Sequence, residues 1–403
     1  MRGSRAVSRI RVFALFASAA LAFAAVCAAW GPGEVPERYR RLYALESLAL
    51  DGWERYLAKR PVPAFPRPVW AGELLAANAN RGEALLQPQA LEATRLFLDR
   101  FQALGLTGVT VSVNYPLLDP GFPRASEYAA FFRQVALEVR KRRMTLDVES
   151  GVLFANTAFS SVRFDYGELS WERFVAGRRA HTATILREMA PDYLNIGAEP
   201  DTEARLTGKR QLNDPDGRAA MLRAILKDLD RGRTKVAAGI GTWGDIRFVR
   251  AYLAETDLDA IALHLYPLGR RTLRTAYEAA RLAREAGKPV LLDECWLYKA
   301  GPGEGQSIAA NEAIFQRDLW SFWAPLDRRF LECVDRFARQ EGIVYVSPFW
   351  SHHYFAYLDY DPALDEAGYA AVNGAFLERA RVAVKEGRLS PTGEGLKRML
   401  SGE

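Results

Sequence analysis

Residues Tyr193–Glu199 (YLNIGAE) form a short run, mostly apolar, that ends in a carboxylate. The amphipathic stretch Trp171–Met189 precedes it, and a second short apolar run, Lys235–Thr242, follows after another amphipathic segment. Short apolar runs that alternate with helix-length amphipathic ones are typical of βα units, in which helices cover a parallel sheet. This part of the chain therefore predicts an α/β fold.

The same alternation continues on both sides of this stretch and predicts eight strands with helices between them. Eight βα units within roughly 250–300 residues favour a (β/α)8 TIM barrel over an open sheet. The predicted strands are Val69–Ala76, Val109–Tyr115, Met144–Phe154, Tyr193–Glu199, Lys235–Thr242, Ala260–Tyr266, Pro289–Trp296 and Ile343–Trp350. The predicted helices are Leu91–Ala103, Glu127–Lys141, Trp171–Met189, Gly217–Leu229, Ile246–Glu255, Thr272–Ala286 and Asn311–Gln340.

The N-terminal part of the chain differs from the barrel that we predict for residues 69–403. In residues 1–30, four arginines precede the uninterrupted apolar run Val12–Trp30, which predicts a signal peptide or an N-terminal membrane anchor. Both alternatives stay open, and either places the protein outside the cytoplasm: periplasmic, extracellular or membrane-anchored. Residues 31–68 predict a lead-in helix, Gly33–Ala58, and the proline-rich connector Pro61–Pro68.

Charge and cysteine content exclude some classes of partner. The formal net charge is +5, and removing residues 1–29, with four arginines and no acid, lowers it to +1. The remaining charges are dispersed, so we expect no nucleic-acid partner. Outside the leader the cysteines are Cys295 and Cys333, without zinc-type spacing, and they form either one disulfide or two buried thiols.

Two predicted strands end in glutamates, Glu199 on strand four and Glu294 on strand seven. Active-site groups of a parallel barrel lie at the C-terminal ends of the strands. Because alternate residues share a face, Glu294 and Trp296 are expected to point the same way. Two carboxylates at one barrel mouth suit glycosidic cleavage, in which one protonates the leaving oxygen and the other attacks the anomeric carbon.

Strand-end motifs point to the same chemistry: Glu199-Pro on strand four, HLYP (264–267) on strand six, Glu294 on strand seven and Trp350 on strand eight. In this order they resemble the glycoside hydrolases of clan A, over about residues 69–355. The resemblance implies a retaining hydrolase of poly- or oligosaccharides, with Glu199 as general acid/base and Glu294 as nucleophile. It also implies that Tyr266 hydrogen-bonds the nucleophile and that Trp350 forms the floor of the sugar site.

One position departs from the pattern of the clan. The clan usually has an asparagine directly before the acid/base, where it helps to bind the sugar 2-hydroxyl, and this chain has Ala198. Either the substrate carries a different group at that carbon, or another amide, such as Asn195, Asn156 or Asn213, reaches the hydroxyl. The departure also keeps open an alternative function, a barrel that binds carbohydrate without cleaving it.

Further residues near the strand ends are candidates for binding a carbohydrate, because aromatic rings stack on sugar faces and polar groups bind hydroxyls. These candidates are Asn114, Glu149, Trp243, His264 and Trp296. The longest connection between strands, after strand seven, opens with the glycine-rich segment 301–305, which is either a mobile lid or a surface turn. Phe315 and Leu319 recur at helical spacing after it and are expected to pack in the core.

Two other chemistries are less favoured. Residues 239–244 (GIGTWG) match a dinucleotide-binding fingerprint and keep a nicotinamide-dependent oxidoreductase as an alternative, although Trp243 occupies the turn that the pyrophosphate must approach. The four histidines include no His-Glu-x-x-His helix, and neighbours such as His352 and His353 on a strand would point in opposite directions. We therefore expect no metal and no cofactor.

Overall fold

The computed structural model describes residues 35–402, except 64, 267, 302 and 305–311. Eight parallel strands pair in the order β1-β8-β7-β6-β5-β4-β3-β2, so the predicted (β/α)8 TIM barrel is confirmed. The strands are β1 (Val69–Trp70), β2 (Gly108–Ser112), β3 (Thr145–Glu149), β4 (Tyr193–Asn195), β5 (Lys235–Gly241), β6 (Ala260–Leu265), β7 (Val290–Cys295) and β8 (Tyr345–Pro348). The barrel nearly closes between its first two strands, through a parallel bridge from Glu73 to Thr110 and a hydrogen bond from Leu74 N to Thr110 O (2.8 Å).

Helices cover the barrel between successive strands and continue beyond the last strand. They are α1 (Glu37–Ala58), α2 (Pro88–Leu104), α3 (Ala125–Lys141), α4 (Trp171–Met189), α5 (Pro200–Thr207), α6 (Pro215–Leu226), α7 (Arg247–Glu255), α8 (Arg270–Glu285), α9 (Glu312–Asp318), α10 (Ala324–Glu341), α11 (Pro362–Glu366), α12 (Tyr369–Glu386) and α13 (Pro391–Ser401). The single helix predicted over Asn311–Gln340 is wrong: α9 and α10 are separate. Pro325 opens the second of them, because proline has no backbone N–H to donate within a continuous helix.

The interior of the barrel changes character along its axis. Leu291 and Tyr345 pack against a set of small residues contributed by neighbouring strands, and those residues are Ala71, Ala237, Ala260 and Ala262. The Tyr345 hydroxyl lies 3.0 Å from Thr110 Oγ1, where polar side chains begin to replace apolar ones. The apolar layer of the barrel interior forms part of the core, and the polar layer lies next to the C-terminal ends of the strands.

The lead-in helix α1 packs along α10. Tyr43 stacks on Trp323 with ring centroids 5.2 Å apart, and near the other end Gln340 Nε2 donates to Leu57 O (2.9 Å). Since α10 runs from the C-terminal end of β7 back towards the start of β8, α1 begins near the C-terminal face of the barrel and runs parallel to α10.

Other predictions concern the termini, the cysteines and the long connection. Cys295 and Cys333 are free, buried thiols, so the disulfide alternative is wrong. The predicted leader, residues 1–30, lies outside the described residues, as does part of the glycine-rich connection after β7. Within the described part of the chain, no helix combines the length and the apolar character needed to cross a membrane.

Candidate active site

A cleft of about 1500 Å³ opens at the C-terminal ends of the strands. Almost all of the site residues predicted from the sequence line it. They are Asn114, Glu149, Glu199, Trp243, His264, Tyr266, Glu294 and Trp350. Trp296 is the exception.

His264 joins the two glutamates that end strands four and seven. Its Nδ1 lies 2.8 Å from Glu199 Oε1 and 3.2 Å from Glu294 Oε2. The sum of these distances, 2.8 and 3.2, limits the separation of the two carboxylate oxygens to 6.0 Å. Tyr266 OH donates to the same Glu294 Oε2 (3.2 Å), so the oxygen of Glu294 is held by two side chains of one strand end.

A β-bulge in β7 brings Glu294 into the cleft. The register to β6 pairs Ala262 with Leu291 but His264 with Glu294, so β7 contains one extra residue between these pairs. As a result Asp293 and Glu294 both face the interior: Asp293 Oδ2 accepts a hydrogen bond from Asn195 Nδ2 (2.6 Å), and Glu294 lines the cleft.

The prediction that Trp296 shares the face of Glu294 is wrong. The bulge lies before Glu294, and β7 ends at Cys295, so Trp296 lies beyond the strand and its alternation. Trp296 is only 1% exposed and stacks on His353, with ring centroids 5.4 Å apart. Its ring packs behind the cleft, close to the buried ammonium of Lys299.

The barrel interior under the cleft is rich in carboxylates and has His264 as their shared partner. Burial raises the pKa of Glu149 well above the usual range and that of Glu73 to about 7; burial also raises the pKa of Glu294, and the charge of His264 acts on it in the opposite direction. Burial alone would lower the pKa of His264, but the surrounding carboxylates, Glu294 first among them, raise it to about 10. The imidazole is therefore a cation at neutral pH.

Two sets of side chains under the cleft are compact enough to surround an ion. Donor atoms of Glu149, His264 and Glu294, and those of Asp147, Glu149 and Asp293, lie within 4.8 Å of one another in each set. However, His264 Nε2 is 3.4 Å from Glu149 Oε1 and 3.8 Å from Asp293 Oδ1. A protonated imidazole already supplies positive charge to these oxygens, and we therefore treat the cluster as an ion-pair network.

Two buried arginines hold the loop that carries Glu199. Arg178 Nη2 donates to Ile196 O (2.7 Å), and Arg218 donates from two nitrogens to Glu203 (2.8 and 3.0 Å). Gly197 has φ of 139°, and a Cβ there would lie 2.0 Å from Arg218 Nη2, so only glycine fits this close approach.

This network leaves little trace in the sequence. Arg178 and Arg218 lie within amphipathic helices, where a single arginine resembles an ordinary surface residue. Glu203 lies four residues after Glu199, on the short helix α5. Its nearness to the strand end is a sequence feature from which a role in the site could have been predicted.

Trp243 and the glycines before it are fixed by packing. Trp243 Nε1 donates to Asp201 Oδ2 (2.9 Å), which holds the indole at the rim of the cleft. A Cβ on Gly241 would lie 2.3 Å from the Trp243 ring, and one on Gly239 would lie 1.7 Å from Ala262 O. The glycines of the dinucleotide-like motif are thus explained by contacts within the barrel.

Aromatic residues that were not predicted as site residues extend the cleft wall. Tyr298 stacks on Tyr266 with ring centroids 4.3 Å apart, and Phe315 lies 5.6 Å from both Tyr298 and Trp350. Phe315 lines the cleft, whereas Leu319 is buried in the core as expected. Tyr298 lies three residues after the end of β7, and this position near a strand end is the sequence feature that could have predicted a place in the cleft.

The three asparagines considered as substitutes for the missing amide at position 198 differ in placement. Asn195 reaches the cleft, but its amide donates to Asp293 and its Oδ1 accepts from Gly197 N (3.0 Å). Asn156 donates to Phe164 O, and neither Asn156 nor Asn213 is among the residues that line the cleft. Asn114 lines the cleft, and its Oδ1 accepts from Gly151 N (3.0 Å), which leaves its NH2 group available.

No protein-family model matches the sequence, and a search of curated proteins finds no match. Solved structures do share the fold. An exo-β-1,4-mannosidase from Opitutaceae bacterium strain TAV5 is 14% identical with a TM-score of 0.50. The aligned region covers 85% of this chain and 60% of the mannosidase chain. This chain thus spans less than two thirds of that protein.

Two further structures of similar fold carry the same family label, GH5_18. The protein from Bifidobacterium longum subsp. longum is 15% identical with a TM-score of 0.52, covering 84% of this chain and 79% of its own. The protein from Streptomyces cattleya, in complex with GlcNAc, is 14% identical with a TM-score of 0.50, covering 84% and 80%. At these identities the similarity establishes a shared barrel fold.

Proposed function

We propose that the protein is a retaining glycoside hydrolase. The observation that carries the proposal is the contact of Glu199 and Glu294 with one nitrogen of His264, which keeps their oxygens within 6.0 Å of each other. Retaining enzymes hold their two carboxyl groups about 5–5.5 Å apart, whereas inverting enzymes need about 6.5–9.5 Å to admit a water molecule. The separation therefore favours direct attack by a carboxylate.

In the proposed reaction, Glu199 protonates the glycosidic oxygen while Glu294 attacks the anomeric carbon and forms a covalent glycosyl-enzyme. Glu199 then removes a proton from a water molecule, which releases the sugar with its original configuration. Tyr266 donates to Glu294 Oε2, and the positive charge of His264, whose Nδ1 lies 3.2 Å from the same oxygen, stabilises the ionised form of Glu294.

The cleft supplies the elements that a sugar ring requires. Trp243, Tyr298 and Trp350 offer aromatic faces, and Asn114 offers an amide, all among the residues that line it. A protein of the same fold is named as an exo-β-1,4-mannosidase, so this scaffold is compatible with such chemistry. We therefore propose a poly- or oligosaccharide as the substrate.

The two carboxylates can be tested with chemical rescue. The variant Glu294→Ala should lose turnover of aryl glycosides, and azide should restore part of it by forming a glycosyl azide of inverted configuration. Glu199→Ala should cleave substrates with activated leaving groups, and azide should give the retained product. Glu92→Ala is the matched control, since Glu92 lines the same cleft without contacting His264.

Two outcomes would contradict the proposal. Near-wild-type activity in Glu199→Gln or Glu294→Gln would show that the assigned roles are wrong. Saturable binding of polysaccharide with no release of reducing ends from the wild-type protein would favour a non-catalytic binding barrel instead. Product configuration, followed by NMR during the first turnovers, checks retention independently.

We also propose that the protein works outside the cytoplasm, on the basis of the arginine-then-apolar pattern of residues 1–30. Fractionation of cells that express the full chain tests this. Intact, unprocessed protein in the soluble cytoplasm would refute it.

A further inference from the structure

The outward face of α1 carries an unusual combination of side chains. Residues four and three positions apart on this helix share one side, so they form a continuous stripe along its exposed surface. The stripe consists of Arg41, Leu45, Leu48, Gly52, Arg55, Tyr56 and Lys59. We call these seven residues the α1 outer face.

The exposed apolar residues of the protein are concentrated in this region. Of the seven large hydrophobic side chains that are exposed in the described part of the chain, five lie between residues 45 and 65. Three of them, Leu45, Leu48 and Tyr56, belong to the α1 outer face, and Val62 and Phe65 follow in the connector. Isolated exposed leucines are normal, but a cluster along one helix indicates a surface that contacts something apolar.

The charges on this face have one sign. Arg41, Arg55 and Lys59 form no ion pair with the described residues, and the acid one turn before Arg41 on the same side, Glu37, is paired with Arg40. Two acids in the middle of α1, Asp51 and Glu54, lie on another side of the helix, where both form ion pairs with Arg329. A helix face with leucine, an interfacial tyrosine and basic residues matches helices that lie on an anionic membrane surface.

We propose that the α1 outer face lies on an anionic lipid bilayer, with its leucines and Tyr56 at the headgroup boundary. The chain outside the described residues supports this occupant, because only six residues lie between Glu37 and the end of the apolar run Val12–Trp30, which is predicted to be exported or anchored. Six residues span at most about 20 Å. While that run is in the membrane, the start of α1 stays close to it.

The packing of α1 then fixes how the barrel meets the membrane. Trp53 contacts Phe330 and Phe337 of α10, so the inner face of α1 is attached along the side of the barrel. With α1 flat on the bilayer, the barrel axis is parallel to the membrane. The cleft then opens sideways, at the same end of the barrel as the start of α1. The enzyme would meet glycans that lie along the surface.

The test places a fluorescent label on the α1 outer face of the full chain. Leu48→Cys, in a Cys27→Ser background that leaves the two buried cysteines, is labelled with NBD and mixed with vesicles of phosphatidylcholine and phosphatidylglycerol containing spin-labelled lipid. The matched control is Leu137→Cys, on α3, because Leu137 is exposed to a similar extent (38% against 42% for Leu48) and is not among the residues that line the cleft. We expect quenching at position 48 and little at position 137.

Neutralising the three basic residues separates docking of the face from tethering by the N-terminus. Each basic residue near an anionic membrane contributes about a fivefold factor, so Arg41→Gln, Arg55→Gln and Lys59→Gln together should reduce the ratio of docked to undocked barrel by about a hundredfold. Absent or equal quenching at positions 48 and 137 in vesicle-bound protein would overturn the proposal. Shielding of position 48 without vesicles would also overturn it, in favour of a second protein chain as the occupant.

Discussion

Replacing His264 by glutamine is the most direct test of the site. The imidazole contacts Glu199 and Glu294 through Nδ1 and faces Glu149 and Asp293 through Nε2, and it is almost completely buried. Glutamine keeps a hydrogen-bond donor of similar reach but removes the positive charge. The variant therefore separates the effect of charge from the effect of shape.

The expected loss of stability follows from the pKa of His264. A rise from 6.5 to about 10 corresponds to a stabilisation on the order of 5 kcal/mol, since one pKa unit is about 1.4 kcal/mol. Removing one member of a buried ion pair typically costs a similar amount, about 3–5 kcal/mol. Because the folded-state pKa is raised, this stabilisation is complete below pH 6.5 and is lost as the pH rises towards 10.

Denaturant unfolding at several pH values measures this effect. The difference in unfolding free energy between wild type and His264→Gln should be largest at pH 6 and should shrink steadily up to pH 10. In the same variant, Glu294 is harder to ionise without the neighbouring cation, so the acidic limb of kcat/KM should move to higher pH. The value of kcat should fall by about 10²–10³, as for loss of one preorganised electrostatic group.

His181→Gln is the control for buried histidines in general. His181 is also fully buried, but burial lowers its pKa to about 3, so it is neutral at all working pH values. Between pH 6 and 10 that variant should lose stability by an amount that is constant at the alkaline end and becomes smaller towards pH 6, where only the unfolded wild-type chain binds a proton at position 181, so its trend is opposite to that of His264→Gln. The pH profile of kcat/KM should be unchanged. A difference between wild type and His264→Gln that stays constant over this range would refute the assignment of His264 as a cation.

Three further predictions concern neighbouring residues. Tyr266→Phe removes a hydrogen bond to the proposed nucleophile Glu294 (3.2 Å) and should lower kcat about tenfold to a hundredfold in steady-state assays with little change in melting temperature. Arg218→Met leaves Glu203 with one buried partner and should lower the free energy of unfolding in urea by about 3–5 kcal/mol. Burial raises the pKa of Glu203, but the two arginines outweigh it and lower this pKa, so the loss of stability should become smaller below pH 4. Asn114→Ala should lower kcat/KM for a 2-hydroxy sugar but not for its 2-deoxy analogue, and equal losses on both would exclude Asn114 as the donor to that hydroxyl.

Sequence alternation predicted the barrel well because parallel strands buried on both faces leave a strong pattern. All eight strands are present, and the helix predicted over Trp171–Met189 has the same bounds in the structure. The boundaries at the C-terminal ends were less accurate: β4 ends at Asn195, and Glu199 follows it in an irregular turn. Polar side chains at these ends continue the alternation in sequence after the ladder of backbone hydrogen bonds has stopped.

The supporting network of the site was not predictable from local patterns. Arg178 and Arg218 converge on Glu203 from two different helices, and only the closed barrel brings them together. The pairing depends on a glycine at position 197 that leaves room for a guanidinium, a contact between residues 21 positions apart in sequence. Local periodicity identifies the buried face of a helix but not the partner that a buried charge will find.

The bulge in β7 is the reason that Glu294 faces the cleft. Without the extra residue, the pairing of Ala262 with Leu291 would continue to His264 opposite Asp293, and Glu294 would point away from the cleft. The bulge instead sets His264 opposite Glu294, so one imidazole can contact a carboxylate from strand seven and another from the turn after strand four. Alternation placed Glu294 and Trp296 on a common face, but Trp296 lies beyond the end of β7 and packs behind the cleft. The contact of Glu294 with His264, the residue that also binds Glu199, thus depends on one irregular backbone step, and a regular β7 would direct Glu294 away from the proposed partner of the double displacement.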